Sequence, residues 1–400
     1  MSQLDSPDIA IVGGGIIGLA VGIALLENNP HRAVVIFEKE SSLGLHASGR
    51  NSGVIHAGFY YSPESLKAKF CADGNVELKK LCKDFELPLR ETGKVVVTNN
   101  EDDLEELEKL FYRGLSNNIE IELLDARHLP TYEPAAKTVG KFLWSPTTAI
   151  ADPKRINEQL NLNFRKLGGH IKYGKTVSLT QSGGEVSLVI DEQVIQSGFV
   201  VNAAGTWAHS LSRMVGVGLE FACMPFMGIY RASTDSKTHL RSLVYPVPHP
   251  INPFLGVHVT LMLNGEIKIG PTAIPILGRE QYSLVSRVSA SEIRDLAASV
   301  AALIRGKEYN FWEVLKSEFP KFQTKSLIGE AQKLVPSIAS NRNWKKLPAG
   351  VRAQLVNLET GKLEQDFIVR QHLNSLHVLN AVSPGWTSAL PFGRWLSEKI

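Results

Sequence analysis

The chain has 400 residues, 44% hydrophobic and 21% charged, which is enough apolar material to bury the cores of two domains. A formal net charge of +3 lacks the basic stripe of a nucleic-acid binder, though it suits contact with an anionic membrane surface. Three cysteines, Cys71, Cys82 and Cys223, exclude a disulfide framework and a cysteine-held metal.

Residues 1–7 are polar and carry no signal or transit pattern, so a reducing cytoplasm is the expected location. Residues 8–38 then read as strand, glycine-rich turn, helix and strand. The turn is Gly13-Gly14-Gly15-Ile16-Ile17-Gly18, and the second strand ends on Glu38-Lys39. A GxGxxG alone is weak; between a strand and a helix, with an acid 20 residues after the last glycine, it predicts dinucleotide binding. Gly13 allows a sharp turn, Gly15 lets backbone approach a pyrophosphate, and Gly18 lets helix pack on sheet. The helix start, with Ile16 and Ile17, offers N–H groups to phosphates, and Glu38 accepts from ribose hydroxyls while repelling a 2′-phosphate. Residues 9–26 are also 18 uncharged residues, near the lower limit of a membrane span, but the glycines interrupt them.

Residues 41–61, rich in Gly, Ser, His and Asn, are long for a loop and mark a functional segment. Residues 63–85 read as a helix holding Cys71 and Cys82 about 16 Å apart, too far for a bridge. A strand at 94–98 and a helix at 102–115 follow. Asp152-Pro153 starts a helix ending at Gly168-Gly169. Strands are expected at 171–173 and 177–179, a hairpin at 185–197, and a strand at 199–205 closing on Ala203-Ala204-Gly205, with a helix from Trp207. Residues 225–272 are β-rich, with a hairpin turn at Asn264-Gly265. Residues 290–322 are helical, 341–346 a polar linker, and 366–369 and 376–380 strands. Residues 383–388 open a closing helix to 399.

With these pieces in hand, the sequence resembles the FAD-dependent D-amino-acid-oxidase (DAO) superfamily, and within it the L-2-hydroxyglutarate dehydrogenase/oxidase branch. The resemblance rests on the glycine turn and Glu38, on Gly49-Arg50-Asn51-Ser52-Gly53-Val54-Ile55-His56-Ala57-Gly58, and on Lys67-Ala68-Lys69. It continues through Tyr245-Pro246-Val247-Pro248, Pro253 to His258, Gly270-Pro271, Arg279-Glu280, Pro348 to Gln354, Asp366-Phe367 and Asn380-Ala381. It implies FAD in place of NAD, and oxidation of a 2-hydroxy acid, with L-2-hydroxyglutarate going to 2-oxoglutarate. Electrons would leave to a quinone or O2. The alternative is an amine or amino-acid oxidase of the same superfamily. The implied fold is α/β (α+β overall), with a Rossmann-like FAD-binding domain and a β-rich substrate domain. The expected bounds are 1–80, 145–215 and 345–400 for the first, and 81–144 and 216–344 for the second. Three departures stand out. Met227 and Ile229 replace a charge pair, Thr272 replaces an Asn, and the bulky Trp386 replaces a small residue. If the missing Arg serves a distal carboxylate, a five-carbon dicarboxylate is put in question.

Oxidising a C–OH needs a hydride acceptor, a base and a grip on the carboxylate. The flavin is the acceptor. His56 is the first candidate for base and His258 the second; the sequence does not decide, and a covalent flavin link at His56 stays open. Arg352 is the candidate carboxylate anchor, with Tyr245 and Tyr230 as hydroxyl donors. For FAD itself, the resemblance implies Lys39 near Glu38, and Ser48, Arg50, Asn51 and Ser52 on phosphate and ring edges. It further implies Val177 on adenine, Ala204, Gly205 and Trp207 on the ribityl-phosphate, and Gly385, Trp386, Thr387 and Ser388 facing the flavin with a helix start.

Overall fold

The computed structural model describes residues 6–235, 237–248, 255–283, 286, 288–307 and 311–400. Pro253 and Phe254, part of one resemblance block, lie outside the described residues.

The strand Ile9–Val12 is apolar and buried on both faces, as a parallel strand covered on two sides must be. It sits inside a six-stranded sheet. The order is Val369–His372, Ser375–Val378, Phe199–Asn202, Ile9–Val12, Val34–Phe37, His170–Lys172. All neighbours are parallel except the first pair. Ile9 and Ile11 face a core shared with the helices Ile16–Asn28, Pro153–Lys166 and Ala389–Ser397. Ala10 and Val12 face the opposite core, built with the meander Ser178–Ser182, Glu185–Ile190, Gln193–Ile195. Between Ile9–Val12 and the helix, Gly13 adopts φ +101°, and a Cβ at Gly18 would overlap the Gly13 carbonyl. The expected strand-turn-helix-strand is therefore present, and its third glycine sets the helix-to-turn contact.

The second large sheet has eight strands: Arg342–Lys346, Arg231–Asp235, Ile267–Gly270, His258–Leu261, Leu243–Pro246, Lys94–Val97, Lys141–Ser145, Glu122–Asp125. Its core includes Val95, Val259, Ile267 and Ile269 with Leu327, Ala331 and Leu334 of the helix Thr324–Leu334. A four-stranded sheet joins the halves: Phe221–Gly228 runs antiparallel to Gly350–Asn357, with Phe226 opposite Arg352. A small sheet of Val54–Ile55, Ala149–Ala151 and Leu89–Glu91 seats the segment before His56.

The expected helix at 152–153 is capped as read, with the Asp152 carboxylate accepting from Lys154 N–H at 2.9 Å. Asn264-Gly265 turns the hairpin, with Gly265 at φ +83°. Three readings are corrected. Residues 341–346 are not a linker: Arg342–Lys346 is an edge strand on Arg231–Asp235, polar because one edge and all its side chains but the half-buried Trp344 meet water. The helical stretch 290–322 is interrupted: Ala290–Gly306 starts with a Ser289/Glu292 capping box and ends at left-handed Lys307, before Phe311–Glu318. The closing helix begins at Ala389; residues 383–388 are turns, which Pro384 and Gly385 favour.

Candidate active site

A cavity of about 860 Å³ lies between the six-stranded sheet and the β-rich half. Its walls include Gly13, Gly15, Ile16, Ile17, Glu38, Lys39, Ser48, Arg50, Asn51, Ser52, Val177, Ala204, Gly205 and Trp207. Gly385, Trp386, Thr387, His56, Tyr230 and Arg352 complete this set. Four expected site residues do not line it. Gly18 and Ser388 are buried beneath it, and His258 and Tyr245 belong to a second layer.

At the glycine turn the lining fits a dinucleotide. A Cβ on Gly13 would stand 2.6 Å from the Ala203 carbonyl oxygen, and one on Gly15 3.0 Å from Ser48 Oγ. Ser48 Oγ accepts from Ile16 N–H at 2.9 Å, so it holds the helix start. Glu38 Oε2 accepts from Gly14 N–H at 2.8 Å, and Oε1 from Glu40 N–H at 2.9 Å. The carboxylate is thereby fixed at the cavity with lone pairs left over for ribose hydroxyls. The helix start has no acidic residue in its first turn, which suits a pyrophosphate. At the other end Trp386 lines the wall where the flavin ring is expected, and its buried Nε1 has no hydrogen-bond partner among the described residues. These features fit FAD.

Not every expected contact is open. Asn51 spends its amide within its own loop, donating to Ser48 O at 2.8 Å and accepting from Gly53 N–H at 2.8 Å. Arg50 donates to Leu45 O and lies 4.2 Å over the Tyr282 ring. Lys39 Nζ bonds Glu40 and Glu280, and Trp207 Nε1 donates to Glu280 at 2.7 Å. His46 bridges Glu40 and Tyr282. Glu40, His46 and Glu280 have metal-ligand spacing, but the Lys39 ammonium already supplies their cation. These contacts clasp residues 39–50 to 279–282 across the cavity.

His56 sits in the wall, with its backbone N–H on Thr387 Oγ1 at 3.2 Å and its carbonyl held by Asn75 Nδ2 at 3.1 Å. Burial, and then the nearby Lys94 charge, push its imidazole down to about 3, so the ring is neutral near pH 7 and offers a nitrogen lone pair of low basicity. His258 lies deeper. It stacks on Tyr245 (centroids 3.8 Å apart, 13° between planes), and its Nδ1 donates to Gly256 O at 3.0 Å, leaving Nε2 as acceptor. Burial holds it well below the ordinary histidine value. Arg352 reaches the cavity from Gly350–Asn357, with Nη1 on Thr272 O at 3.3 Å and close beside Gly228.

The structure relocates the departures noted in the sequence. Met227 and Ile229 are buried in the core of the eight-stranded sheet and do not line the cavity. A charge pair there would be internal, and apolar packing stands in its place, away from the cavity lining. Thr272 Oγ1 donates to Met227 O and accepts from Ile229 N–H, bracing the same strand end. Trp386 does line the cavity.

Sequence reasoning missed Lys94 and Lys268. Lys268 Nζ donates to Ser52 O at 2.6 Å, and burial pushes it down to about 8. Lys94 is fully buried, and its Nζ has no hydrogen-bond partner among the described residues. It lies 4.5–4.7 Å from the ring centroids of Phe59, Tyr60 and Tyr245. Its signal was faint, since a lysine heading Val95-Val96-Val97 reads as a strand end in water.

Residues 8–399 match the family model described as "DAO: FAD dependent oxidoreductase". The chain is 35% identical to L-2-hydroxyglutarate dehydrogenase of Indibacter alkaliphilus over 98% of both chains. It is 32% identical to the Escherichia coli K12 protein of that name, covering 98% of this chain and 93% of that one. Among solved structures it resembles FAD-bound L-alpha-glycerophosphate oxidase of Mycoplasma pneumoniae, with a TM-score of 0.75 and 25% identity over 97% of this chain and 93% of that one. Glycine oxidase of Geobacillus kaustophilus shares the fold, with a TM-score of 0.74 and 18% identity over 98% and 94%. The glycine turn, the fixed Glu38 and the long cavity thus have their explanation: the chain belongs to the DAO family and is an FAD-dependent oxidoreductase.

Proposed function

We propose that the protein oxidises an L-2-hydroxy acid to a 2-oxo acid, and that the pair is L-2-hydroxyglutarate and 2-oxoglutarate. The observation that carries this reading is one cavity holding a neutral imidazole, His56, and a guanidinium, Arg352. The near-full-length relatives named for that substrate support it. Bound FAD supplies the acceptor for the hydride leaving C2. His56, on the cavity wall, accepts the hydroxyl proton on a ring nitrogen. Arg352 binds the carboxylate next to C2 and so fixes which face of that carbon meets the flavin. Tyr230, on the same wall, stays protonated because burial raises its hydroxyl, so it acts as a donor. Ser48, Glu38, Thr387 and Trp386 are assigned to the cofactor.

Residues 1–80, 145–215 and 345–400 are assigned to the FAD domain, and 81–144 and 216–344 to the substrate domain. The six-stranded sheet draws all its strands from the first set, in support of this division. Electrons pass on to a quinone or O2. Among the described residues no helix is long and apolar enough to cross a membrane. Exposed Trp312 and Phe319 beside exposed Lys316 support peripheral contact with a membrane surface.

The test is anaerobic mixing of the FAD-loaded protein with L-2-hydroxyglutarate. Bleaching of the flavin band with one equivalent of 2-oxoglutarate is expected. Bleaching by amino acids or N-methyl amines, with none by hydroxy acids, would overturn the reading in favour of an amine oxidase.

A further inference from the structure

Three buried polar atoms lie close together in the layer behind the cavity wall at His56: Lys94 Nζ, Tyr60 Oη and Tyr245 Oη. None has a hydrogen-bond partner among the described residues. Lys94 lies 4.6 Å from the Tyr60 ring centroid and 4.7 Å from that of Tyr245. One unpaired buried donor is a defect; three in one cluster, one of them an ammonium, leave unused bonding capacity for an acceptor. The aromatic faces ease the burial of the ammonium but do not take its three N–H bonds. Burial keeps both phenols protonated, so each has a hydrogen to give.

The charge around this point is one-sided. The cations acting on His56, His258, Tyr230 and Tyr245 are Lys94, Lys268 and Arg352, and no carboxylate is among their influences. Such a surround, at the cavity end marked by His56, Tyr230 and Arg352, favours an anion with more than one negative group. Arg352 enters from Gly350–Asn357, whereas Lys94 opens the strand Lys94–Val97 of the eight-stranded sheet, so the two cations come from different sheets. With Met227 and Ile229 sealed in the core, that pair of positions has no access to a ligand, and a second anchor has to come from elsewhere.

We infer that Lys94, with the hydroxyls of Tyr60 and Tyr245, receives the far carboxylate of the substrate past the His56 ring. This makes the enzyme selective for a 2-hydroxy dicarboxylate over a monocarboxylate of the same length. The inference rests on the hydroxy-acid reading for its substrate, but its test does not. Three donors take up carboxylate oxygens, the ammonium gains a counter-charge, and no bond is made or broken.

The experiment titrates the FAD-loaded full chain with two acids that carry no oxidisable hydroxyl, glutarate and pentanoate, and follows the flavin absorption spectrum. Glutarate is expected to bind at least about ten-fold more tightly, the scale of one charge-assisted hydrogen bond. Lys94→Met should bring glutarate to within about two-fold of pentanoate while leaving pentanoate nearly unchanged. Tyr245→Phe and Tyr60→Phe keep the packing and should each weaken glutarate several-fold, so the idea stays testable if Lys94→Met folds poorly. Equal affinity for the two acids in the wild type overturns the inference, as does equal weakening of both by Lys94→Met. Failure of every 2-hydroxy acid to reduce the flavin would instead strike the proposed reaction and leave a glutarate preference standing.

Discussion

His56 shows the cavity a ring that burial keeps unprotonated. His56→Ala should slow flavin reduction by L-2-hydroxyglutarate about 10²–10⁴-fold in stopped-flow mixing, the usual worth of a placed base. FAD content should be unchanged, since the bonds to Thr387 and Asn75 come from the backbone of residue 56. The partner His258, stacked behind Tyr245, should lower the rate less. Lys94 adds a pH dependence. Burial pushes its ammonium down to about 7 in the free protein, and an anion is held only by the charged form. Glutarate affinity should therefore fall as pH rises above about 7, down to the level left when the amine is neutral. The glycines, Glu38, His56 and Arg352 were legible because each carries a type-specific demand: a bend, a ribose acceptor, a base, a fork-shaped cation. Lys94 was not, since its meaning lies in the rings of Phe59, Tyr60 and Tyr245, supplied by distant segments.

Among the elements, the turn at 383–388 owes its position to the helix Leu66–Asp84. A Cβ on Gly74 would overlap the Thr387 carbonyl, so only glycine permits this approach. Gly74→Ala should push Thr387 and Trp386 out of the cavity wall. Lower FAD occupancy and a reduced Tm should follow, read by the visible-to-protein absorbance ratio and calorimetry. The six-stranded sheet carries its own acid sensitivity. His377, on Ser375–Val378, is pushed down to about 4, first by burial and then by His372. Its ring accepts from Asn202 Nδ2 at 3.1 Å while neutral. The unfolded ring protonates near 6.5 and the folded one near 4, so stability is full above pH 6.5 and falls as pH drops between those values. A loss of ~2 kcal/mol by pH 5 is expected, and His377→Leu should remove that part of the slope in urea titrations at several pH values. Helices and buried strands were legible from periodicity. The edge strand Arg342–Lys346 was not, because its partner Arg231–Asp235 supplies the pairing and its own residues, Trp344 excepted, face water.

For the molecule as a whole, the outward face of Phe311–Glu318 carries Trp312 and Lys316 one turn apart, with Phe319 next in line, all exposed. Replacing Trp312 and Phe319 by Ser should lower co-sedimentation with anionic vesicles several-fold and leave flavin reduction in solution unaltered; equal sedimentation would remove the membrane contact. The assignment of sheets to two halves was legible from the glycine turn and the β-rich middle. The bridging pair Phe221–Gly228 and Gly350–Asn357 was not, for no local pattern announces which distant strand an apolar strand will meet. The order of strands has a further bearing on biosynthesis. Ile9–Val12 lies beside Phe199–Asn202, which lies beside Ser375–Val378, and the helix Ile16–Asn28 is covered by Ala389–Ser397, whose Gly393 abuts Ala20. The glycine turn thus waits for neighbours made more than 350 residues later. At roughly 5–20 residues per second, nascent glycine turns spend tens of seconds on the ribosome before their neighbours emerge. Cofactor capture by the glycine turn should therefore follow synthesis of the strand Ser375–Val378 and the helix Ala389–Ser397, and flavin colour should be absent from chains truncated before them.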